Sequence, residues 1–295
     1  MPVQHTAAGD RWRKKLLRPD GTLSPRIADL ALEQQFWRAR IQNTGLIPPD
    51  AYSGTVYQAV KRLSRSHGVS SVLEIGPGWG NYTFRLVRDF PQVTCVDLSP
   101  DNLAYLERHA AEQGAALETI CAPWETAEVP RRDMAFAYNC FYRVQEPELF
   151  LNKLHRTARR LCVAGMNAPP ELPWLPALEK AGLSVHYTRQ GCRELGEILT
   201  SMGISHQLLD LPNRREYRYP HQAALLDRVR GFLTEPVPDQ RLLSLVMPYH
   251  QALPDGSLLC RYPFTSQLLV WEPALSDKSP PVTDTEDLDH ILKEI

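Results

Sequence analysis

The apolar positions of this chain follow two alternating rhythms. Short, nearly unbroken apolar runs at 72–75, 93–98, 133–139 and 161–166 read as strands buried on both faces, and a further strand ends near Ile120-Cys121. Between them, apolar residues recur three or four positions apart. One such stretch covers 82–90. A second carries Leu103, Leu106 and Ala110 behind a Ser99 cap and a first-turn Pro100, and a third is opened by Gln145-Glu146-Pro147. Strand alternating with helix predicts an α/β chain around a mostly parallel sheet. Two later runs, 205–211 and 264–272, predict two more strands.

The flanks read differently. Residues 1–24 look loose and basic. A helix is predicted from Ser24-Pro25 through Ile27, Leu30, Leu32, Phe36 and Trp37 to about residue 42. Pro48-Pro49 break the chain, and a second helix over 52–66 carries Val56, Ala59, Val60 and Leu63 before His67-Gly68 stop it. A Pro-rich connection at 167–175 leads to helical stretches at 175–181 and 193–202. Residues 212–263 form an insertion before the last strand. It holds a charged-aromatic alternation from Arg214 to Tyr219, read as an exposed or edge strand, then helices from His221 to Phe232 and over 240–251. The acidic stretch 274–295 reads as a disordered tail. The organisation is thus 1–67 as a basic segment with cap helices, 68–273 as the main domain with its insertion, and 274–295 as tail.

One motif focuses the chain. The first strand ends in Gly76-x-Gly78-x-Gly80, and a helix-compatible segment follows at once. Glycines serve where backbone dihedrals are unusual and where a ligand must approach bare backbone. The helix start beyond offers free N–H groups to an anionic group. A dinucleotide turn wants G-x-G-x-x-G, and Asn81 stands where its third glycine belongs, which disfavours a dinucleotide oxidoreductase. Asp97 closes the second strand 97 − 76 = 21 positions after Gly76, about the ~20-residue spacing that places a carboxylate on ribose hydroxyls.

With Glu74 two positions ahead of Gly76, this spacing resembles motif I of the class I S-adenosylmethionine-dependent methyltransferases. The likeness is strongest from Val72 to about Met166. It implies a Rossmann-like, seven-stranded, mostly parallel sheet closed by an antiparallel hairpin of the last two strands. It also implies S-adenosyl-L-methionine as cofactor. The glycine turn then cradles its amino-acid end and Glu74 its ammonium, Asp97 binds the ribose, and Leu98 packs on the adenine. Trp124 and Glu125 reach the adenine edge, although Ala122 or Pro123 stands where the family often has Asp. The loop after the fourth strand faces the reacting methyl group, which makes Tyr138, Asn139, Tyr142 and Arg143 pocket candidates. Asn139 also falls beside the cofactor. His186 and His221 are more distant possibilities, and the 212–263 insertion suggests a lid over the substrate.

Composition narrows the acceptor. Net charge is −1, apolar residues make up 43% and charged residues 23% of 295, so no global charge points to nucleic acid or an anionic membrane. No apolar stretch approaches a membrane span and no signal-peptide core opens the chain, so a cytoplasmic location is expected. Six cysteines without C-x-x-C spacing predict buried thiols rather than a metal site or disulfides. Asn139-Cys140-Phe141-Tyr142 departs from the Asn/Asp-Pro-Pro-aromatic tetrapeptide with which the family serves nucleobase amines, so a small molecule is the expected acceptor. A non-catalytic S-adenosylmethionine-binding protein and an RNA or protein methyltransferase are the alternatives. Oligomeric state has no sequence signal.

Overall fold

A computed structural model describes residues 5–18, 20–42, 44–169, 172–186 and 190–273. The predicted tail, 274–295, lies outside the described residues. The sheet has eight strands: β1 (Ser71–Ile75), β2 (Gln92–Asp97), β3 (Glu118–Cys121), β4 (Arg132–Tyr138), β5 (Ala158–Asn167), β6 (Gln207–Tyr219), β7 (Gln251–Ala252) and β8 (Leu258–Trp271). Their order is β3-β2-β1-β4-β5-β8-β6, with β7 beside β8. The first five run parallel, and β8 is antiparallel to both β5 and β6. This is the predicted α/β sheet with its closing hairpin, plus one strand of two residues that no periodicity announces.

Both faces of the parallel strands are covered, as their unbroken apolar runs require. Side chains alternate between two cores. Val72, Leu161 and Val163 enter one; Leu73, Ile75, Cys162 and Ala164 enter the other. Three helices lead the chain: α1 (Ala7–Leu16), α2 (Pro25–Ala28) and α3 (Leu30–Ile41). Then come α4 (Ser53–Ser66), α5 (Thr83–Asp89), α6 (Pro100–Glu112), α7 (Pro147–Thr157), α8 (Leu175–Lys180), α9 (Cys192–Ser201), α10 (Gln222–Arg230) and α11 (Asp239–Val246). All six cysteines are free thiols. Among the described residues, no helix is long and apolar enough to cross a membrane.

Three expectations are corrected. The loose segment 1–24 contains α1. Thr6 caps it by accepting from the Gly9 N–H at 2.9 Å. Ala8, Trp12 and Leu16, spaced four apart, are buried, and the Trp12 indole N–H donates to the Val144 carbonyl at 2.8 Å. Three apolar residues among basic ones give too weak a stripe to read, and the packing that holds the helix lies more than a hundred residues away. The helix predicted over 24–42 is two helices, because Asp29 is extended (φ −121°) and caps α3 by accepting from Ala31 N–H at 2.7 Å. The strands at 205–211 and 264–272 extend to residues 219 and back to 258. The Arg214–Tyr219 alternation is therefore the end of β6, paired throughout with β8, and the chain between them leaves the sheet at 220–250 and 253–257, returning for β7.

The docking of α1 predicts a large cost for Trp12→Ala. Truncating a fully buried Trp should cost about 3–5 kcal/mol in urea unfolding. A loss under about 1 kcal/mol would show that α1 is not held against the sheet.

Candidate functional site

One cavity of about 850 Å³ opens at the carboxyl ends of β1 to β4, within the ~300–1,000 Å³ range of small-molecule sites. The chain runs outward one way from β1 to β3 and the other way from β4 to β5. The cavity therefore sits at the topological switch point of the sheet, where open α/β folds bind ligands. Its roof is α2 and α3, through Arg26, Ile27, Leu30, Glu33, Phe36, Trp37 and Arg40.

The floor is the glycine turn. Gly76 has φ 65°, and a Cβ there would stand 2.5 Å from the Cβ of Cys140. Only glycine lets the exits of β1 and β4 come so close. At Gly78, φ is 56° and an added Cβ would meet the Trp37 ring at 3.3 Å, so this glycine lets the roof come down close to the floor. Gly80 also has positive φ, but Phe84 and Leu106 fill the space beside it and it does not line the cavity.

Two buried carboxylates flank the turn. Glu74 Oε2 accepts from the Thr83 hydroxyl at 2.6 Å and the Cys95 thiol at 3.4 Å. Burial pushes its pKa up to about 7. Asp97 accepts from the Ser99 N–H at 2.8 Å, the Gly78 N–H at 3.4 Å and the Asn102 amide at 3.5 Å, and burial pushes it up to about 6. Both line the cavity. A polyhydroxyl or cationic ligand group there would offset the desolvation each carboxylate suffers.

The β3 side of the cavity holds Leu98, Ala122, Pro123, Trp124 and Glu125. The Leu98 carbonyl is tied to the roof by the Gln34 amide at 3.0 Å. The Trp124 indole donates to the Phe150 carbonyl at 3.2 Å, and Lys153 Nζ lies 4.6 Å from its ring centroid, so the ring is a packed wall whose edge meets the cavity. At the β4 exit, Asn139 is the one described non-glycine residue with positive φ, 53°. Its side chain secures that conformation: Oδ1 accepts from the Asn167 N–H at 3.1 Å, and Nδ2 donates to the Tyr52 hydroxyl at 3.1 Å. The Tyr138 hydroxyl donates to Asn167 Oδ1 at 2.8 Å.

Tyr142 and Arg143 reach the roof through a residue that sequence reasoning missed. Glu33, 0% exposed, accepts from Arg26 at 2.7 and 3.1 Å, from the Trp37 indole at 2.8 Å and from the Tyr142 hydroxyl. Arg143 Nη1 stands 3.4 Å from its other oxygen. Burial raises the Glu33 pKa, but the hydrogen bonds from Arg26 and Tyr142 outweigh it and hold the group below the ordinary carboxylate range. The available signal was Glu33 and Trp37 four apart on one helix face.

Of the residues the sequence singles out, the cavity gathers Glu74, Gly76, Gly78, Asp97, Leu98, Trp124, Glu125, Tyr138, Asn139, Tyr142 and Arg143. It does not take in His186, whose backbone N–H pairs with the Phe232 carbonyl, or His221, whose ring caps α10 by accepting from Ala224 N–H. The 212–263 stretch lines none of it, and the covering element is α2–α3. Among the described residues, no group of three or more His, Cys, Asp or Glu is arranged to hold a metal ion.

A family model described as a methyltransferase domain matches residues 72–161. A probable dimethyladenosine transferase of Dictyostelium discoideum is 29% identical over 110 residues, 37% of this chain and 35% of that protein. The methyltransferase tpcM of Aspergillus fumigatus is 30% identical over 117 residues, 38% of this chain and 34% of that one. The chain thus spans about a third of the length of these relatives. Among solved structures, the geranyl diphosphate C-methyltransferase of Streptomyces coelicolor overlays with a TM-score of 0.48 at 13% identity, over 85% of this chain and 99% of that one. Glycine turn, strand-end carboxylates and switch-point cavity all fall in or beside the segment, residues 72–161, that matches the methyltransferase domain.

Proposed function

We propose that this protein binds S-adenosyl-L-methionine in the cavity and transfers its methyl group to a small-molecule acceptor by in-line displacement. The observation that carries the reading is the pair Glu74 and Asp97. Two buried carboxylates, Glu74 one residue before the end of β1 and Asp97 at the end of the adjacent parallel β2, flank one glycine turn, and burial raises both. A ligand with an ammonium at one end and a ribose diol further along matches both. The β3-side wall of Leu98, Ala122, Pro123 and Trp124 then suits an apolar-faced base, with Glu125 at its edge.

When bound, the sulfonium supplies an already activated methyl group, so the chain's own work is positioning and exclusion of water. Asn139 fixes the β4 exit, the glycine turn admits the ligand against bare backbone, and the Glu33 clasp holds the roof down. The volume of about 850 Å³ leaves room for a small acceptor beside a nucleoside cofactor. The Dictyostelium relative is named as a probable dimethyladenosine transferase, which supports a nucleic-acid acceptor as the second reading.

Transfer of a radiolabelled methyl group into a cell extract, fractionated afterwards, separates these. The expected result is label in low-mass metabolites; label confined to nucleic acid would replace the acceptor class. No label in any fraction, with binding intact, would favour a non-catalytic binding protein. Asp97→Ala should weaken S-adenosylhomocysteine binding by about 1.5–3 kcal/mol, the loss of hydrogen bonds to a charged group, and unchanged affinity would remove Asp97 from the site. Affinity should also depend on pH. The free protein holds Glu74 near about 7 and Asp97 near about 6, and the ligand requires the ionised forms. Binding therefore releases protons and strengthens as pH rises from about 5.5 to 7.5, by up to about tenfold per unit for each group still protonated. Calorimetry in buffers of different ionisation heat measures the released proton, and a flat affinity across this window would exclude Glu74 as the ammonium's partner.

A further inference from the structure

The roof brings a second set of charges to the cavity, apart from Glu74 and Asp97. Arg26 of α2 and Arg143 of the loop after β4 both line it. Arg26 Cζ rests 3.5 Å from the Phe36 ring centroid and 5.7 Å from that of Tyr142. Its Nε and Nη2 donate to the two Glu33 oxygens, at 2.7 and 3.1 Å. That engages two of the five guanidinium N–H donors. Nη1 has no hydrogen-bond partner among the described residues, and it is not sealed from water, on a side chain 39% exposed. A guanidinium gripped along one edge offers its other edge to whatever enters the cavity.

The charges at this end do not cancel. Glu33 spends both oxygens on Arg26, Trp37 and Tyr142. Arg143 adds a second guanidinium, with Nη1 3.4 Å from Glu33 and Nη2 donating to the Ile27 carbonyl at 3.4 Å. Two cations thus share one carboxylate. The other carboxylates nearby are engaged elsewhere. Glu146 Oε2 stands 3.2 Å from His5 and 3.6 Å from Arg13. Asp29 caps α3, and Glu125 belongs to the β3-side wall. A forked guanidinium in a locally positive setting matches a carboxylate. Apolar surface adjoins it: Ile27, Leu30 and Phe36 line the cavity from the same helices, and Leu30 is 42% and Phe36 38% exposed. Large apolar side chains left exposed at a cavity rim mark a binding surface.

Resting on the donor reading above, we propose that the acceptor is an apolar organic acid, anchored by its carboxylate on the free edge of Arg26 with its apolar body along Ile27, Leu30 and Phe36. Donor and acceptor then divide the cavity. The cofactor's ammonium and diol take Glu74 and Asp97. Arg40, whose Cζ lies 4.3 Å from the ring centroid of Trp79 in the glycine turn, is available to the cofactor's own carboxylate. Arg26 and Arg143 stand instead beside the loop that leaves β4. A carboxylate held by guanidinium donors has its lone pairs engaged, so it serves as the anchor and is not itself methylated. Arg26 is thereby a specificity-determining residue, and Arg143 supports it through charge.

The test uses the full chain and two readouts. Calorimetry on protein saturated with S-adenosylhomocysteine compares 4-phenylbutyrate and octanoate, each with its own amide. At least one acid should bind about tenfold tighter than its amide, the worth of hydrogen bonds to a charged group. Arg26→Gln should abolish that preference. Arg26→Lys keeps a cation on Glu33 but loses the fork. It should hold S-adenosylhomocysteine affinity within about twofold of wild type while the acid preference falls about threefold. The second readout is labelled methyl transfer into a cell extract, with the low-mass fraction passed over an anion-exchange resin at neutral pH. Label should appear in retained products and resist alkali. Absence of S-adenosylhomocysteine binding in wild type would sink the donor reading itself. With that binding intact, four results would each overturn the acid anchor alone: no acid preference in either pair, an equal loss of S-adenosylhomocysteine affinity in Arg26→Lys, label only in unretained products, or label released by alkali as methanol.

Discussion

The site depends on one steric constraint: the exits of β1 and β4 are so close that the Cα of Gly76 faces Cys140 with no room for a methyl group between them. Parallel strands side by side at a switch point leave a crevice at their carboxyl ends. That near-contact makes the crevice narrow at its base and forces the chain after β1 into a left-handed turn that only glycine enters without strain. Glu74, Asp97 and Asn139 are all placed relative to this point. A side chain at Gly76 would push the two strand exits apart and displace both walls together.

The second organising feature is the roof. The helix α3 buries only Glu33 and Ile41 among its twelve residues, so apolar burial contributes little to holding it down. A buried carboxylate does that instead, gathering Arg26, Trp37, Tyr142 and Arg143 from the roof and the β4 loop. A buried charge is tolerated when its oxygens are satisfied, and Glu33 meets that condition on both. The element covering the cavity is thereby joined to the loop that leaves β4.

Much of this was legible in the sequence, for a physical reason. Parallel strands buried on both faces have no polar alternation to blur them, so 72–75, 93–98 and 161–166 announced themselves, and the glycine spacing after β1 located the cavity. The ends of the chain were illegible because their structure is non-local. Nothing near Trp12 signals that its indole will find the Val144 carbonyl, and nothing near Glu33 signals two arginines and a tyrosine. The Arg214–Tyr219 alternation was correctly strand-like, but its partner, the first half of β8, carries Arg261 and Pro263 among its apolar residues and did not read as strand.

Two of the fastenings of α3 differ in their exposure to solvent. Arg38 and Asp101 form an outer pair at 3.1 Å with side chains 62% and 29% exposed, whereas Glu33 is sealed from water. Mobile ions screen exposed pairs over a Debye length of about 8 Å at physiological salt and reach buried ones far less. Rising ionic strength therefore loosens the outer fastening and spares the inner one. The inner closure of the cavity is thus nearly independent of the salt around it, while its outer edge is not.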